Sequence, residues 1–390
     1  MTESSPARSA AAGRFAVRLA VFASLLLAVL PLLLLGVAIT QRGQLFALAS
    51  LGIAILPWFF AWAWSLGTAG RRVAFAVPAG IALGWIGLAL TSPTGVPSPS
   101  ARVRHLFPRD GGVYSRYVLG NWLPEADQLR LGFTLMPLID PLLTNRQAAK
   151  LKAATAEIYR ELEADPEFAA VGSVLPLAYA ELRGSADRGL HAYLYVPPGL
   201  DHTRPLPALV FFHGSGGNWK AYLWILSKVA DRCGVVLIAP TFGIGAWREP
   251  ETSERLAATL EAAARHVALD SRRLHVAGLS NGGRAVSELL ASARPSFRSY
   301  TFISPVFDDR ALPRRPGPPG GPGKRVFILT GALDDRVPIG YVRDRASQLE
   351  QSGASVKLRV EPAADHFLMF SHRTALIEAL ANDLRESMAP

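Results

Sequence analysis

The sequence predicts an α/β fold, a mostly parallel sheet covered by helices on both faces, preceded by about three transmembrane helices. Four observations carry this expectation. Half of the 390 residues are hydrophobic. Mean hydropathy is positive, more than an ordinary soluble chain carries. The excess sits in charge-free stretches that fill the first hundred residues and then stop. From about residue 166 onward, short continuous apolar runs alternate with helical patterns. Runs of that kind are what strands become when helices bury both faces of a parallel sheet.

Residues 1–13 are rich in Ala and Ser and are expected to be a disordered tail. No charge falls between Leu19 and Gln41, Gly43 and Gly70, or Val73 and Ser100. Each stretch exceeds the roughly 20 apolar residues that cross a bilayer core. Arg42 and the Arg71-Arg72 pair separate them. Pro31, Pro57 and Pro78 are awkward in a soluble helix but tolerated in a membrane span. Trp58, Trp62, Trp64 and Trp85 add aromatic bulk suited to an interface. Residues 14–91 therefore read as three transmembrane helices. A cleaved leader fits the first stretch poorly, because its apolar region is long and two more follow directly.

Three spans place the chain ends on opposite sides. Arg8, Arg14 and Arg18 share a side with Arg71 and Arg72. Arg42 occupies the only short loop opposite, although Arg102, Arg104 and Arg109 flank the third span there. The excess of Arg in the tail and its partner loop favours a cytoplasmic N-terminus. The globular part would then be periplasmic or extracellular.

"TSPTGVPSPS" (91–100) is too polar and too broken for a helix and reads as a linker. Residues 92–165 as a whole read as linker and helical connector. Within them, "RQAAKLKAATAEIYRELEA" (146–164) is one helix of strong helix formers. "LRLGFTLMPLIDPLL" (129–143) is apolar and interrupted by proline, suited to pack on the next domain or lie against a membrane. The formal charge of +10 divides equally between the first hundred residues and the rest. No basic stripe with interleaved aromatics occurs, which argues against nucleic acid and leaves phospholipid headgroups as the fitting polyanion. The single cysteine, Cys233, precludes an intrachain disulfide. Lying before Gly234, it reads as a small residue closing a helix.

The globular part, 166–390, follows in order. "LHAYLYV" (190–196) alternates like a half-buried strand, and "PALVFFHG" (207–214) is an apolar strand entering a glycine-rich turn. Helix 219–234, strand 235–240 and amphipathic helix 253–268 come next. Strand 274–279 leads into helix 282–293. Strands 299–305 and 325–331, helix 340–353, strand 355–362 and helix 372–387 complete the pattern. In such sheets, ligands bind where loops leave the carboxyl ends of the strands.

"LHVAGLSNGG" (274–283) places Ser280 between a buried strand and a helix, as a nucleophile elbow requires. Gly278 and Gly282 let strand and helix approach while the serine takes a strained backbone conformation. Serine needs a base. His366, in "EPAADHFL" after the last strand, reaches back over the carboxyl ends. The other histidines fit less well: His105 and His202 read as exposed loop residues, His191 and His275 begin strands at the wrong end, and His266 and His372 lie in helices. A carboxylate must fix the imidazole tautomer. "LTGALDDRVP" (329–338) offers Asp334 just past a strand. Its rivals are Asp335, the Asp308-Asp309 pair, and Asp365, which is too close to His366 in sequence. An oxyanion needs two backbone donors. Asn281, after the serine, supplies one, and Ser215 in "HGSGGN" (213–218) is chosen for the other.

With these motifs in place, residues 166–390 resemble an α/β-hydrolase fold enzyme. G-L-S-N-G-G, H-G-S-G-G, G-A-L-D-D-R-V-P and the D-H-F loop are similar to those of single-domain serine esterases. The nearest groups are the polyhydroxyalkanoate depolymerases, feruloyl esterases and dienelactone hydrolases, the last departing in carrying cysteine as nucleophile. The resemblance implies a triad of Ser280, Asp334 and His366, and neither metal nor organic cofactor. Lids in such enzymes are inserted after the nucleophile. Here only 307–324 is available, too short and too rich in Pro and Gly for a helical cap. An open site is expected, edged by Trp219, Trp247 and the connector as substrate-binding residues.

The expectation is a membrane-anchored serine hydrolase, first a carboxylic ester hydrolase working through an acyl-enzyme. An acyltransferase shares the first half-reaction, a peptidase would need a gating domain that is not seen, and an inactive membrane scaffold is the reading from another class. Expected partners are an ester or acyl small molecule or lipid, and the bilayer. Oligomeric state is not legible.

Overall fold

The computed structural model describes residues 6–65, 67–94, 101–107, 116–182, 190–201, 203–292, 297–312 and 323–389. The chain divides into two compact units, one of residues 1–92 with 116–136, the other of 93–115 with 137–390.

The first unit contains helices α1 (Pro6–Val37), α2 (Gln41–Ser65), α3 (Gly67–Leu90), α4 (Leu119–Trp122) and α5 (Glu125–Leu135). The tail expected to be disordered over 1–13 is helical from Pro6. Proline suits a first helical position, where its missing N–H is not needed, and the following alanines have the highest helix propensity. Among the described residues two helices, not three, contain stretches long and apolar enough to cross a membrane: Val17–Val37 and Gln41–Phe60. In α3 the apolar stretch is the shorter Phe75–Leu90. The reason is local: Arg71 and Arg72 fall inside this helix rather than in a loop before it.

The turn between α1 and α2 leaves helix-end N–H and C=O groups that need partners. Residues from the presumed connector supply them. The buried Asp127 carboxylate accepts from the Ile39 amide at 2.7 Å and from the Thr40 hydroxyl. Arg130 Nε donates to the Val37 carbonyl at 2.9 Å. Arg42, read as a loop residue, donates to the Thr91 carbonyl and the Ser92 hydroxyl, each at 2.9 Å, and to the Trp122 carbonyl at 3.3 Å. The expected 92–165 connector is thus divided, 116–136 belonging with the helical unit.

The second unit begins earlier than residue 166. It adds strand β1 (Val103–Leu106), a 3-10 turn ending at Leu138, and α6 (Asn145–Ala164). Thr144 and Gln147 form a reciprocal capping box that starts α6. Then come α7 (Pro166–Ala170), α8 (Leu175–Leu182), β2 (His191–Tyr195), β3 (Leu206–Phe212), α9 (Lys220–Cys233), β4 (Val236–Thr241) and α10 (Glu251–Ala264). After them lie β5 (Leu269–Leu279), α11 (Gly282–Ala291), β6 (Ser299–Ile303), β7 (Arg325–Gly331), α12 (Ile339–Gln351), β8 (Ser355–Glu361), α13 (Leu368–Ser371) and α14 (Arg373–Met388).

The eight strands form one sheet in the order β1-β2-β4-β3-β5-β6-β7-β8. β2 runs antiparallel to both its neighbours, and β3 through β8 are parallel. This is the α/β-hydrolase fold. One face buries Ala208, Val210, Phe212, Val276, Phe302 and Ile328 under α10, α11 and α12. Phe211, on the opposite face of β3, packs against Tyr222 of α9. β5 starts five residues before the apolar run that announced it, because its first half is only partly buried and carries Asp270, Arg272 and Arg273. β1 was hidden for a similar reason, being four residues long in a polar, basic setting. Residues 95–100 of the linker lie outside the described residues.

Candidate active site

The site is assembled at the carboxyl ends of β3, β5, β7 and β8. β5 ends at Leu279, and Ser280 turns the chain into α11 with φ at 49°. A positive φ costs a residue with a side chain about 1–3 kcal/mol and persists only where neighbours enforce it. Three backbone bonds do so. The Ser280 amide donates to the Ile303 carbonyl, and the Ser280 carbonyl accepts from Gly283 and Val306, each at 2.9 Å. The elbow also needs bare backbone on either side. A Cβ on Gly278 would strike the Gly282 carbonyl, and one on Gly282 would strike the Phe212 carbonyl.

His366 lies in the loop between β8 and α13. Its Nε2 is 3.1 Å from Ser280 Oγ. Its Nδ1 is 2.9 Å from Asp334 Oδ2 and 3.1 Å from Oδ1. The Asp334 side chain is fully buried and that of His366 is 12% exposed. Asp334 Oδ1 also accepts from the amides of Val337 at 2.8 Å and Arg336 at 3.1 Å, which fixes the carboxylate in its turn after β7. With Nδ1–H donating to the carboxylate, Nε2 keeps its lone pair toward the serine hydroxyl. The structure therefore brings Ser280, His366 and Asp334 into one chain of hydrogen bonds.

The rival acids are engaged elsewhere. Asp309 pairs with Arg345 at 2.8 Å. Asp365 accepts from the Phe367 amide at 3.0 Å and from Gln147 Nε2 at 3.4 Å. Asp335 is exposed. Among the other histidines, His105 departs from expectation: it is a buried β1 residue whose Nε2 lies 2.9 Å from His191 Nδ1, not an exposed loop residue. His202 lies outside the described residues.

Ser215 and Asn281 face each other across the site, the Asn281 Nδ2 donating to Ser215 Oγ at 2.7 Å. Among the described residues, no protein acceptor takes the backbone N–H of either, whereas the neighbouring Gly216 amide donates to the Ile244 carbonyl at 2.9 Å. Two amides beside the serine are thus open to an anionic oxygen.

His213 holds this loop from beneath, a role not read from the sequence. It is fully buried; Nδ1–H donates to the Gly214 carbonyl at 2.8 Å and Nε2 accepts from the Phe242 amide at 3.1 Å. Burial lowers its pKa to about 4, so the ring is neutral and able to do both. Glu181 of α8 adds a further brace, accepting from the Ile244 amide at 2.7 Å. The signal for His213 was present, a histidine between an apolar strand and a glycine-rich loop, but its partner segment 242–244 is distant in sequence.

Trp219 and Trp247, expected to edge the site and bind substrate, are both buried. Trp247 is 1% exposed, wedged against Phe212, His213 and Phe242, and its Nε1 donates to the His213 carbonyl at 2.8 Å. Trp219 is 9% exposed, stacked on Tyr222, and donates to the Gly216 carbonyl at 3.1 Å. A buried indole must satisfy its N–H, and both do so on the loop of Ser215, which they support from within. Residues 313–322, where a lid would lie, are outside the described residues. Among the described residues, no cluster of three or more His, Cys, Asp or Glu is arranged to hold a metal ion.

No protein-family model matches the chain, and no curated protein matches it. Solved structures do. Esterase 2 of Thermogutta terrifontis with butyrate bound is 18% identical with a TM-score of 0.40, covering 50% of this chain and 87% of that one. Est1E from Butyrivibrio proteoclasticus is 19% identical with a TM-score of 0.40, covering 52% of this chain and 96% of that one. Dipeptidyl peptidase 4 of Porphyromonas gingivalis is 18% identical with a TM-score of 0.38, covering 51% of this chain and 33% of that one.

Proposed function

We propose that this chain is a membrane-anchored serine hydrolase whose reaction is carboxylic ester hydrolysis. The observation that carries the reading is the continuous path from Ser280 Oγ through His366 to the buried Asp334, beside two open amides. In this reading Ser280 Oγ attacks the ester carbonyl while His366 Nε2 takes its proton. The tetrahedral oxyanion is held by the amides of Ser215 and Asn281. Asp334 stabilises the imidazolium. His366 then returns the proton to the departing alcohol, leaving an acyl-Ser280 ester. Water, deprotonated by His366, releases the carboxylic acid and restores the serine.

The apolar stretches of α1 and α2 support anchoring in a bilayer; two crossings return the chain to the side of the arginine-bearing tail, in place of the outward-facing hydrolase unit that three would give. Transfer to an alcohol acceptor uses the same acyl-enzyme. Hydrolysis is favoured because the sequence has no segment long enough for a helical cap that would exclude water from the intermediate. The test is labelling with a fluorophosphonate, followed by a panel of esters with and without alcohol acceptors. Ser280→Ala is expected to abolish both labelling and turnover while the circular dichroism spectrum is retained. Wild-type labelling in that variant would remove Ser280 from the role.

A further inference from the structure

Beside the site lies an apolar tip that nothing in the reaction uses. Leu138 is 80% exposed, Ile139 78% and Leu142 44%; Leu333, next to Asp334, is 61% exposed. Single exposed leucines are ordinary on a protein surface, but several at one place are not. Two links hold the tip against the catalytic loops. Asp140, in the middle of the tip, is ion-paired to Arg336, whose own amide donates to Asp334 Oδ1 at 3.1 Å. The Arg336 guanidinium also lies over the ring of Phe367, 5.2 Å from its centroid, and Phe367 follows His366. The Asp140–Arg336 pair leaves residues 138–142 without net charge, Asp335 being exposed beside Leu333, and the Arg336 hydrogen bond keeps the Asp140 carboxyl below its ordinary pKa. The tip is therefore a fixed aliphatic rim on the acid and histidine side of the site.

We infer that this rim inserts into a lipid surface and that the substrate is an ester drawn from that surface. The inference rests on the hydrolase reading and narrows its substrate class to lipids or other amphiphilic esters. Three observations favour a bilayer over a protein partner. Within 138–142 the exposed residues are Leu138, Ile139, Pro141 and Leu142, without the Tyr, Trp and Arg that anchor protein interfaces. The same chain carries apolar stretches long enough to cross a membrane. Leu138 also follows in sequence three residues after α5, the helix whose Asp127 and Arg130 bond the ends of α1 and α2 at Ile39 and Val37. Aliphatic side chains at such a tip gain by leaving water for the acyl boundary of the bilayer.

The experiment uses the full chain in phosphatidylcholine nanodiscs. Cys233 is the only cysteine, so a Cys233→Ser background carrying Ile139→Cys accepts a single environment-sensitive fluorophore. Ser347→Cys, exposed on α12, serves as the control site. Quenching of the probe at 139, but not at 347, by nitroxide on lipid acyl chains is expected. Quenching at 139 by aqueous iodide alone would overturn the insertion. Activity gives the second readout, the ratio of turnover on a long-chain ester in the same bilayer to turnover on a soluble short-chain ester. The double variant Leu138→Ser, Ile139→Ser is expected to lower this ratio by about tenfold or more. An unchanged ratio would overturn the link to substrate. If the wild type hydrolyses neither ester, the hydrolase reading fails, and the quenching still decides the insertion.

Discussion

Asp334 shows how a residue's partners set its role. Two carboxylates follow Leu333, and only the first is buried, accepting two backbone amides and the His366 imidazole, while Asp335 points to solvent. Removing that charge leaves His366 without the group that fixes its tautomer. Asp334→Asn is expected to lower kcat by about 10⁴, the size of the corresponding loss in a Ser-His-Asp triad. Asp309→Asn breaks only its partly exposed pair with Arg345 and is expected to stay within a few-fold of wild type. Steady-state kinetics of the two variants on one ester separates them, and equal losses would reopen the choice of acid. That Asp334 was the favoured reading follows from its place just past an apolar strand. The burial of Trp247 was not legible, because its acceptor is a carbonyl 34 residues away.

At the scale of elements, the elbow depends on close backbone contact between β5, α11 and β3. Gly282→Ala places a methyl against the Phe212 carbonyl and is expected to cost about 1–3 kcal/mol of stability. Gly340→Ala, early in α12, meets nothing within 4 Å and is expected to be neutral or slightly stabilising. Thermal unfolding of the pair checks both. The loop after β3 hangs on a neutral His213, whose pKa is lowered from 6.5 to about 4 by burial. Between those values the unfolded chain binds a proton there and the native protein does not, so stability falls as pH falls through that window. His275, lowered to about 4 by burial, adds an effect of the same sign. His213→Gln is expected to flatten part of this acid dependence in melts from pH 7 to pH 4. An unchanged slope would mean that His213 does not set it.

For the whole molecule, the remaining prediction concerns membrane side. With the arginine-bearing tail held in the cytoplasm, crossings by α1 and α2 alone return the chain to that side, so a C-terminal fluorescent protein is expected to be bright and a C-terminal alkaline phosphatase inactive. An active phosphatase with a dark fluorescent fusion would show that α3 makes a third crossing. The sequence by itself determined the apolar N-terminal region, the alternation that builds a parallel sheet, and the order of serine, aspartate and histidine after β5, β7 and β8. These are local properties: periodicity, charge-free length and turn chemistry lie within windows of a few residues. Tertiary structure alone decided which unit each piece of the connector joins, that a polar four-residue strand completes the sheet edge, and that two tryptophans support the Ser215 loop from inside. It also decided that an aliphatic tip around Asp140 stands beside His366. Each of these rests on a partner far along the chain, such as Asp127 with Ile39, Val103 with Tyr195, Trp247 with His213 and Asp140 with Arg336. Hydrogen-bond satisfaction and burial select such partners only once the chain has folded, and no local window of sequence contains both members of the pair.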